Sequence, residues 1–135
     1  MLHPFTPLSL LCAAALGFLL FSLSAAITIV RLRRQVLVGC NGDPQDRLTK
    51  LVRAQGNTAE YAPLLALFML LLGTQSPGTW VSGLMVLATA SRYLFVLGML
   101  ISPTIARPNL VRAAGACGTY VAGFGLTMAV AGLAG

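Results

Sequence analysis

Arg53-Ala54-Gln55-Gly56-Asn57-Thr58-Ala59-Glu60-Tyr61-Ala62-Pro63 sets two charges and two amides inside an apolar run that extends from about Leu48 to Gly73. At about 100° per residue, positions 53, 57, 60, 61 and 64 fall on one side of a helix. Arg53, Asn57, Glu60 and Tyr61 therefore form a polar stripe that ends at Leu64. Gln55 points to nearly the opposite side, so a second helix or subunit must satisfy its amide. Gly56, beside the stripe, permits a close approach, and Pro63 removes the hydrogen bond to the Ala59 carbonyl, which predicts a kink just past Glu60.

The rest of the chain decides what solvent this stripe sits in. Of the 135 residues, 57% are hydrophobic and 9% charged, where a soluble domain is about a quarter charged. So few charges cannot cover a globule, and much of the surface must face lipid. A membrane-spanning helix needs about 20 apolar residues, and four such runs use up the sequence. They lie at about 8–30, 48–73, 79–102 and 109–134, with a loop over 31–47. The reading is one all-α integral membrane domain over residues 1–135, a four-helix bundle. Gly73-Thr74-Gln75-Ser76-Pro77-Gly78 punctuates the second and third runs, and Pro103 and Pro108 bracket the last connection. Asp46 stands where a cap for the second helix belongs. The first run is long for a signal-peptide core and no Lys or Arg precedes it, so it reads as a retained span.

All nine Lys and Arg residues lie between Arg31 and Arg112. With four spans, the 31–50 loop and the 107–112 connection share one side, which the positive-inside rule makes cytoplasmic, with both termini opposite. Arg33, Arg34 and Arg47 need no other role than this and contact with anionic lipid. Arg53, Glu60 and Arg92 do, because they sit inside spans. At about 1.5 Å per residue, Glu60 lies roughly 20 Å into its helix and Arg92 roughly 15 Å into the third. A charge at such depth costs at least about 2.5 kcal/mol on insertion scales, faces protein or a wet cavity, and marks function. A structural ion pair between Glu60 and an arginine is the plainer use of these charges, and the two uses are compatible. The excess of arginine points to an anionic ligand.

The pattern Arg-x-Gln-x-Asn-x-x-Glu-Tyr-x-Pro over residues 53–63 closely resembles the signature of the MAPEG family, the membrane-associated proteins in eicosanoid and glutathione metabolism, in its leukotriene-C-synthase and microsomal glutathione transferase branch. Val30-Arg31-Leu32-Arg33-Arg34 resembles the basic end of that family's first helix, and Arg92-Tyr93 the arginine–tyrosine pair of its third. The resemblance covers the chain in length, span number and motif order. It implies a homotrimer that binds glutathione in clefts between subunits, open to the cytoplasmic side, with a lipophilic electrophile arriving from the bilayer.

Glutathione, the implied co-substrate, carries two carboxylates and one ammonium. Arginine forks suit the carboxylates, Glu60 suits the ammonium, and Gln55 and Asn57 suit the peptide groups; Tyr61, Arg92 and Tyr93 complete the implied binding set. Catalysis needs the thiolate, which a nearby guanidinium stabilises. In the family an arginine at the start of the fourth helix does this. Arg112 matches it and Arg107 is the second candidate, while Arg31 resembles a further family arginine close to the thiol. The implied chemistry is transfer of glutathione to the electrophile or reduction of lipid hydroperoxides. One departure stands out: leukotriene-C synthases of vertebrates carry a second tyrosine one turn past the pair, and here that position is Leu97.

Other features carry less. Cys12, Cys40 and Cys117 have no disulfide or metal spacing, His3 stands alone, and no nucleic-acid or phosphate-loop signature is present. No metal site is expected. Gly115, Thr119, Gly123 and Thr127 recur every four residues beside Ala114, Gly118 and Ala122, a small-residue ladder for close helix packing. Two other function classes share the size. A non-catalytic lipid or thiol binder of the same family would have eroded arginine and glutamate positions, which are retained here. A small four-span multidrug transporter would carry a carboxylate in its first helix, which here has no charge before Arg31.

Overall fold

The computed structural model describes residues 6–134, so His3 lies outside the described residues. Four helices follow one another: α1 (Pro7–Arg34), α2 (Arg47–Gly73), α3 (Thr79–Ile101) and α4 (Leu110–Ala131), ending in a single 3-10 turn, Gly132–Ala134. The protein is an all-α membrane bundle. α1, α3 and α4 are each long and apolar enough to cross a bilayer, and α2 has the length but carries the internal charges.

Helix ends follow local chemistry. Pro7 stands at the first turn of α1, where its missing N–H costs nothing. α1 does not stop at Val30, where hydropathy ends, but runs through Arg34. Arginines are good helix formers, and their charge suits the carbonyl end of the helix dipole. The helix closes where Gln35 turns left-handed (φ 54°) and the Val36 N–H bonds back to the Arg31 carbonyl at 3.0 Å. Asp46 caps α2, accepting from the Leu48 and Thr49 N–H groups at 3.0 and 3.3 Å. It also accepts from Arg34 at 2.7 Å. That Arg34 bond is the main reason the carboxyl lies below its ordinary value of 3.8; the two backbone bonds help and partial burial opposes. Asn109 caps α4 in the same way, through Val111 and Arg112. α2 runs unbroken through Pro63.

The bundle runs up and down. The Thr6 N–H bonds the Gly73 carbonyl, which ties the start of α1 to the end of α2. At the opposite, basic end, Lys50 at the start of α2 reaches the end of α3. Two apolar clusters fill the interior. One gathers Leu16, Leu65, Met69, Met85 and Leu126; the other gathers Leu23, Leu48, Leu51, Val96 and Met99 nearer the basic end. Between them along α2 and α3 lies a buried polar layer of Thr58, Ser91 and Arg92. Phe18, Phe21 and Phe124 are each more than 70% exposed, as side chains facing lipid are.

The tightest packing joins α3 to α4. A side chain at Gly115 would strike the α3 backbone at Phe95 and Ser91, and one at Gly118 would strike the Ser91 side chain. The row against α3 is thus Gly115, Gly118, Ala122 and Gly125. The four-residue row expected from the sequence splits after Gly115: Thr119, Gly123 and Thr127 line a groove toward α2. On the α3 side, a Cβ at Gly98 would lie 2.8 Å from the Arg112 Cα, with backbone that cannot turn aside. Gly98→Ala should therefore cost about 1–3 kcal/mol, the usual range for overpacking. Thermal unfolding in detergent measures it against Gly17→Ala, where nothing lies within 4 Å and no loss is expected. Equal midpoints for the two variants would refute the close crossing.

Candidate functional site

The polar residues of α2 open onto two separate grooves, one on each flank of the helix. Arg53, Gly56, Asn57 and Glu60 line the first, about 600 Å³, with Phe95 and Met99 of α3 and Cys40 of the first loop. Arg53 and Glu60 are both exposed there. The ion pair expected between Glu60 and an arginine is not formed, and among the described residues the one salt bridge is Arg34–Asp46. Glu60 and Arg53 stand seven positions apart, close to two full turns, so they flank the groove rather than meet across it. Nothing of the chain approaches within 4 Å of a Cβ at Gly56. The close contact this glycine permits is therefore not made within the chain, and it leaves the groove floor open.

Arg92 does not line that groove but lies behind it, 1% exposed. Its Nη2 donates to Asn57 Oδ1 at 2.8 Å and Thr58 Oγ1 at 3.3 Å. Its guanidinium carbon sits 5.2 Å from the Tyr61 ring centroid and 4.9 Å from that of Phe95. A cation so placed is held by ring faces and two oxygens instead of a carboxylate. Its Nε is buried without a partner. By holding the Asn57 oxygen, Arg92 leaves the Asn57 NH2 turned to donate.

Tyr61 departs from the stripe. Its ring packs edge-on against Tyr120 of α4, centroids 6.0 Å apart, and the hydroxyls are 3.5 Å apart, long for a hydrogen bond. It lines the apolar groove between α2 and α4 with Leu64, Phe68, Thr119 and Phe124. Tyr93 follows Arg92 in sequence yet turns to α1, donating to the Ala15 carbonyl at 2.9 Å. Consecutive helical residues point about 100° apart, and within one chain Arg92 turns to α2 while Tyr93 turns to α1. Leu97, one turn on, is exposed.

Gln55 opens the second groove, on the α1 side of α2. It shares about 230 Å³ with Ser24, Ile27, Thr28, Arg31 and Val52. The helix that meets its amide is α1, where Ser24 Oγ stands at a long 3.5 Å. Arg31 donates to the Gly39 carbonyl at 3.3 Å, and its Nε is buried without a partner. Within one chain, then, Arg31 and Gln55 face one flank of α2, and Arg53, Asn57 and Glu60 face the other.

Arg112, in the first turn of α4, folds back on the connection that precedes it. Its Nη1 donates to the Ile105 carbonyl at 3.0 Å and its Nη2 to the Arg107 carbonyl at 3.2 Å. Nη1 also lies 3.7 Å from Met99 Sδ, and Met99 lines the Arg53–Glu60 groove. Arg112 is not itself among the residues that line that groove, and Met99 is the side chain the two share. Arg107 is exposed and contributes its carbonyl to holding Arg112. Two residues absent from the sequence-level set are Tyr120 and Lys50. A hydroxyl-bearing ring in an apolar span, and a lysine one turn before Arg53, were the signals available for them.

The MAPEG family model matches residues 9–132. Neither the curated proteins nor the solved structures contain a match.

Proposed function

This chain belongs to the MAPEG family, and on that premise we propose that it is a glutathione-dependent membrane enzyme that activates the thiol for attack on lipophilic electrophiles or lipid hydroperoxides. Membership of the family supports a glutathione-related transfer reaction in the membrane. The observation that carries the finer reading is the groove that gathers Arg53, Asn57 and Glu60, with the Arg112 guanidinium against Met99, one of its lining residues. An arginine and a glutamate two turns apart on one groove fit a ligand with carboxylates and an ammonium. A second arginine against one of the groove's lining residues fits charge that appears when a thiol ionises.

The site is incomplete in one subunit. Arg31 and Gln55 lie on the opposite flank of α2 from Glu60, so only a neighbouring copy brings an Arg31–Gln55 face to an Arg53–Glu60 face. Such a contact joins unlike surfaces, and a rotation that closes makes it a ring. We place three copies in it, with the basic end cytoplasmic and both termini opposite. Glutathione enters from the basic end. The lipophilic partner comes from the bilayer. The thiol proton leaves to water at the open end. In transfer, the thiolate sulfur bonds to the electrophilic carbon and the leaving group departs with the carbon's bonding pair. With a hydroperoxide, the sulfur takes the distal oxygen as the O–O bond breaks, giving an alcohol and a sulfenic acid that a second glutathione converts to disulfide and water.

Purified protein titrated with glutathione should develop the ultraviolet absorbance of a thiolate at neutral pH, and native mass spectrometry in detergent should show a trimer. A trimer that binds glutathione with no thiolate band would move the assignment to the non-catalytic binder. A monomer with full activity would overturn the shared site.

A further inference from the structure

Lys50 is 9% exposed at the start of α2, where a lysine beside a membrane surface ordinarily extends toward headgroups. It turns inward instead. Its Nζ donates to the Ser102 carbonyl at 2.8 Å and the Pro103 carbonyl at 3.0 Å. Ser102 caps the end of α3 and Pro103 follows it, so the ammonium sits at the negative end of that helix's dipole. Ile105, two residues on, bonds through its N–H to the Pro44 carbonyl at 3.0 Å. The α3–α4 connection is therefore held at its start by Lys50 and again by the loop ahead of α2. The same connection holds Arg112, through the Ile105 and Arg107 carbonyls. Pro103 and Pro108 bracket this connection and lack an N–H of their own. Its internal bonds run from Ser102 Oγ to the Thr104 carbonyl and from the Ala106 N–H to Thr104 Oγ1, and Lys50 and Pro44 tie it to the rest of the bundle.

We propose that Lys50 is a positioning residue for Arg112: it anchors the connection whose carbonyls aim the guanidinium at the thiol end of the groove. The inference rests on the assignment of Arg112 to the thiolate. Lys50 itself reaches no part of the groove, since the groove is lined from α2 by Val52, Arg53, Gly56, Asn57 and Glu60. Its influence passes through backbone alone. A guanidinium displaced by about 1 Å is enough to cost roughly a hundredfold in rate, with the glutathione contacts on α2 untouched.

The test is thiolate titration of glutathione-loaded Lys50→Met protein. Expected is a pH midpoint raised by about one pH unit, equivalent to a tenfold smaller thiolate fraction, with kcat lowered and glutathione affinity within twofold of the wild type. Lys50→Arg, which keeps donors for both carbonyls, should restore most of the shift. In an Arg112→Ala background, Lys50→Met should move the midpoint no further. Should Lys50→Met fail to assemble, Lys50→Gln, which is neutral and one atom shorter, carries the same comparison. A Lys50→Met protein with the wild-type midpoint overturns the proposal while leaving the thiolate assignment intact. Equal loss of binding and thiolate also overturns it, by making Lys50 a support for the fold alone. No thiolate band in the wild type sinks the enzyme assignment and this role with it.

Discussion

Arg112→Ala should abolish the thiolate band while leaving glutathione affinity nearly unchanged. Removing one preorganised donor aimed at developing charge costs on the order of 10²–10³ in kcat, and that is the fall expected here. A guanidinium has five N–H donors, and the Ile105 and Arg107 carbonyls engage two groups of Arg112, Nη1 and Nη2. These carbonyls hold the fork in place without neutralising it, so the full positive charge stays available beside Met99. The thiol is neutral in the bound state before ionisation and negative after it. An interaction made only with the charged form affects the chemical step rather than binding. Arg107→Ala serves as the comparison. Its side chain is exposed, and the carbonyl that holds Arg112 survives substitution, so near wild-type activity is expected. The reverse result, with Arg107→Ala inactive and Arg112→Ala active, would reassign the thiolate to Arg107.

The membrane bundle was legible because it depends on solvent partition. Apolar runs of span length, Pro and Gly at their ends and basic residues in two loops are properties of the sequence taken locally. Where α1 stops was less legible. Arg31 to Arg34 are polar by hydropathy, yet backbone hydrogen bonding decides whether a helix continues, and nothing before Gln35 opposes it. The helical spacing of α2 separates Arg53, Asn57 and Glu60 from Gln55, and this needs only the angle per residue. Which neighbour covers each flank does not follow from that angle. Tyr61 lies on the predicted side of α2, but α4 borders that side as well as α3, and its ring goes to Tyr120. Tyr93 likewise follows the twist of α3 to α1. Lys50 drew no reading of its own from the sequence because its partners, the carbonyls of Ser102 and Pro103, are set beside it only by the fold. The absence of a Glu60 ion pair could not be read at all, since seven-residue spacing to Arg53 and an unknown distance to Arg92 leave pairing open.

Glu60→Gln and Arg92→Met should separate binding from stability, although both residues are charges inside the membrane. Glu60 is exposed in the groove with no ionic partner among the described residues. Its substitution strands no other charge, so the thermal midpoint should hold. What it removes is the carboxylate assigned to the glutathione ammonium. Hydrogen bonds to charged groups are worth about 1.5–3 kcal/mol, and each 1.4 kcal/mol is about tenfold. Affinity should therefore fall roughly tenfold to a hundredfold, seen by titration calorimetry. Arg92 is the opposite case. In a helix separated from its neighbours the guanidinium would face lipid, a cost of at least about 2.5 kcal/mol. The folded bundle supplies Asn57, Thr58 and the rings of Tyr61 and Phe95. Arg92→Met withdraws the donor from the half-buried Asn57 Oδ1 and from Thr58 Oγ1, whose own bond to the Ala54 carbonyl survives, and the thioether fills only part of the space. The thermal midpoint should drop, and binding should weaken as well, because an Asn57 amide no longer held by Arg92 is free to flip. An Arg92→Met protein as stable as the wild type would show that the guanidinium is a ligand contact and not a strut. A Glu60→Gln protein with undiminished affinity would take the ammonium away from Glu60.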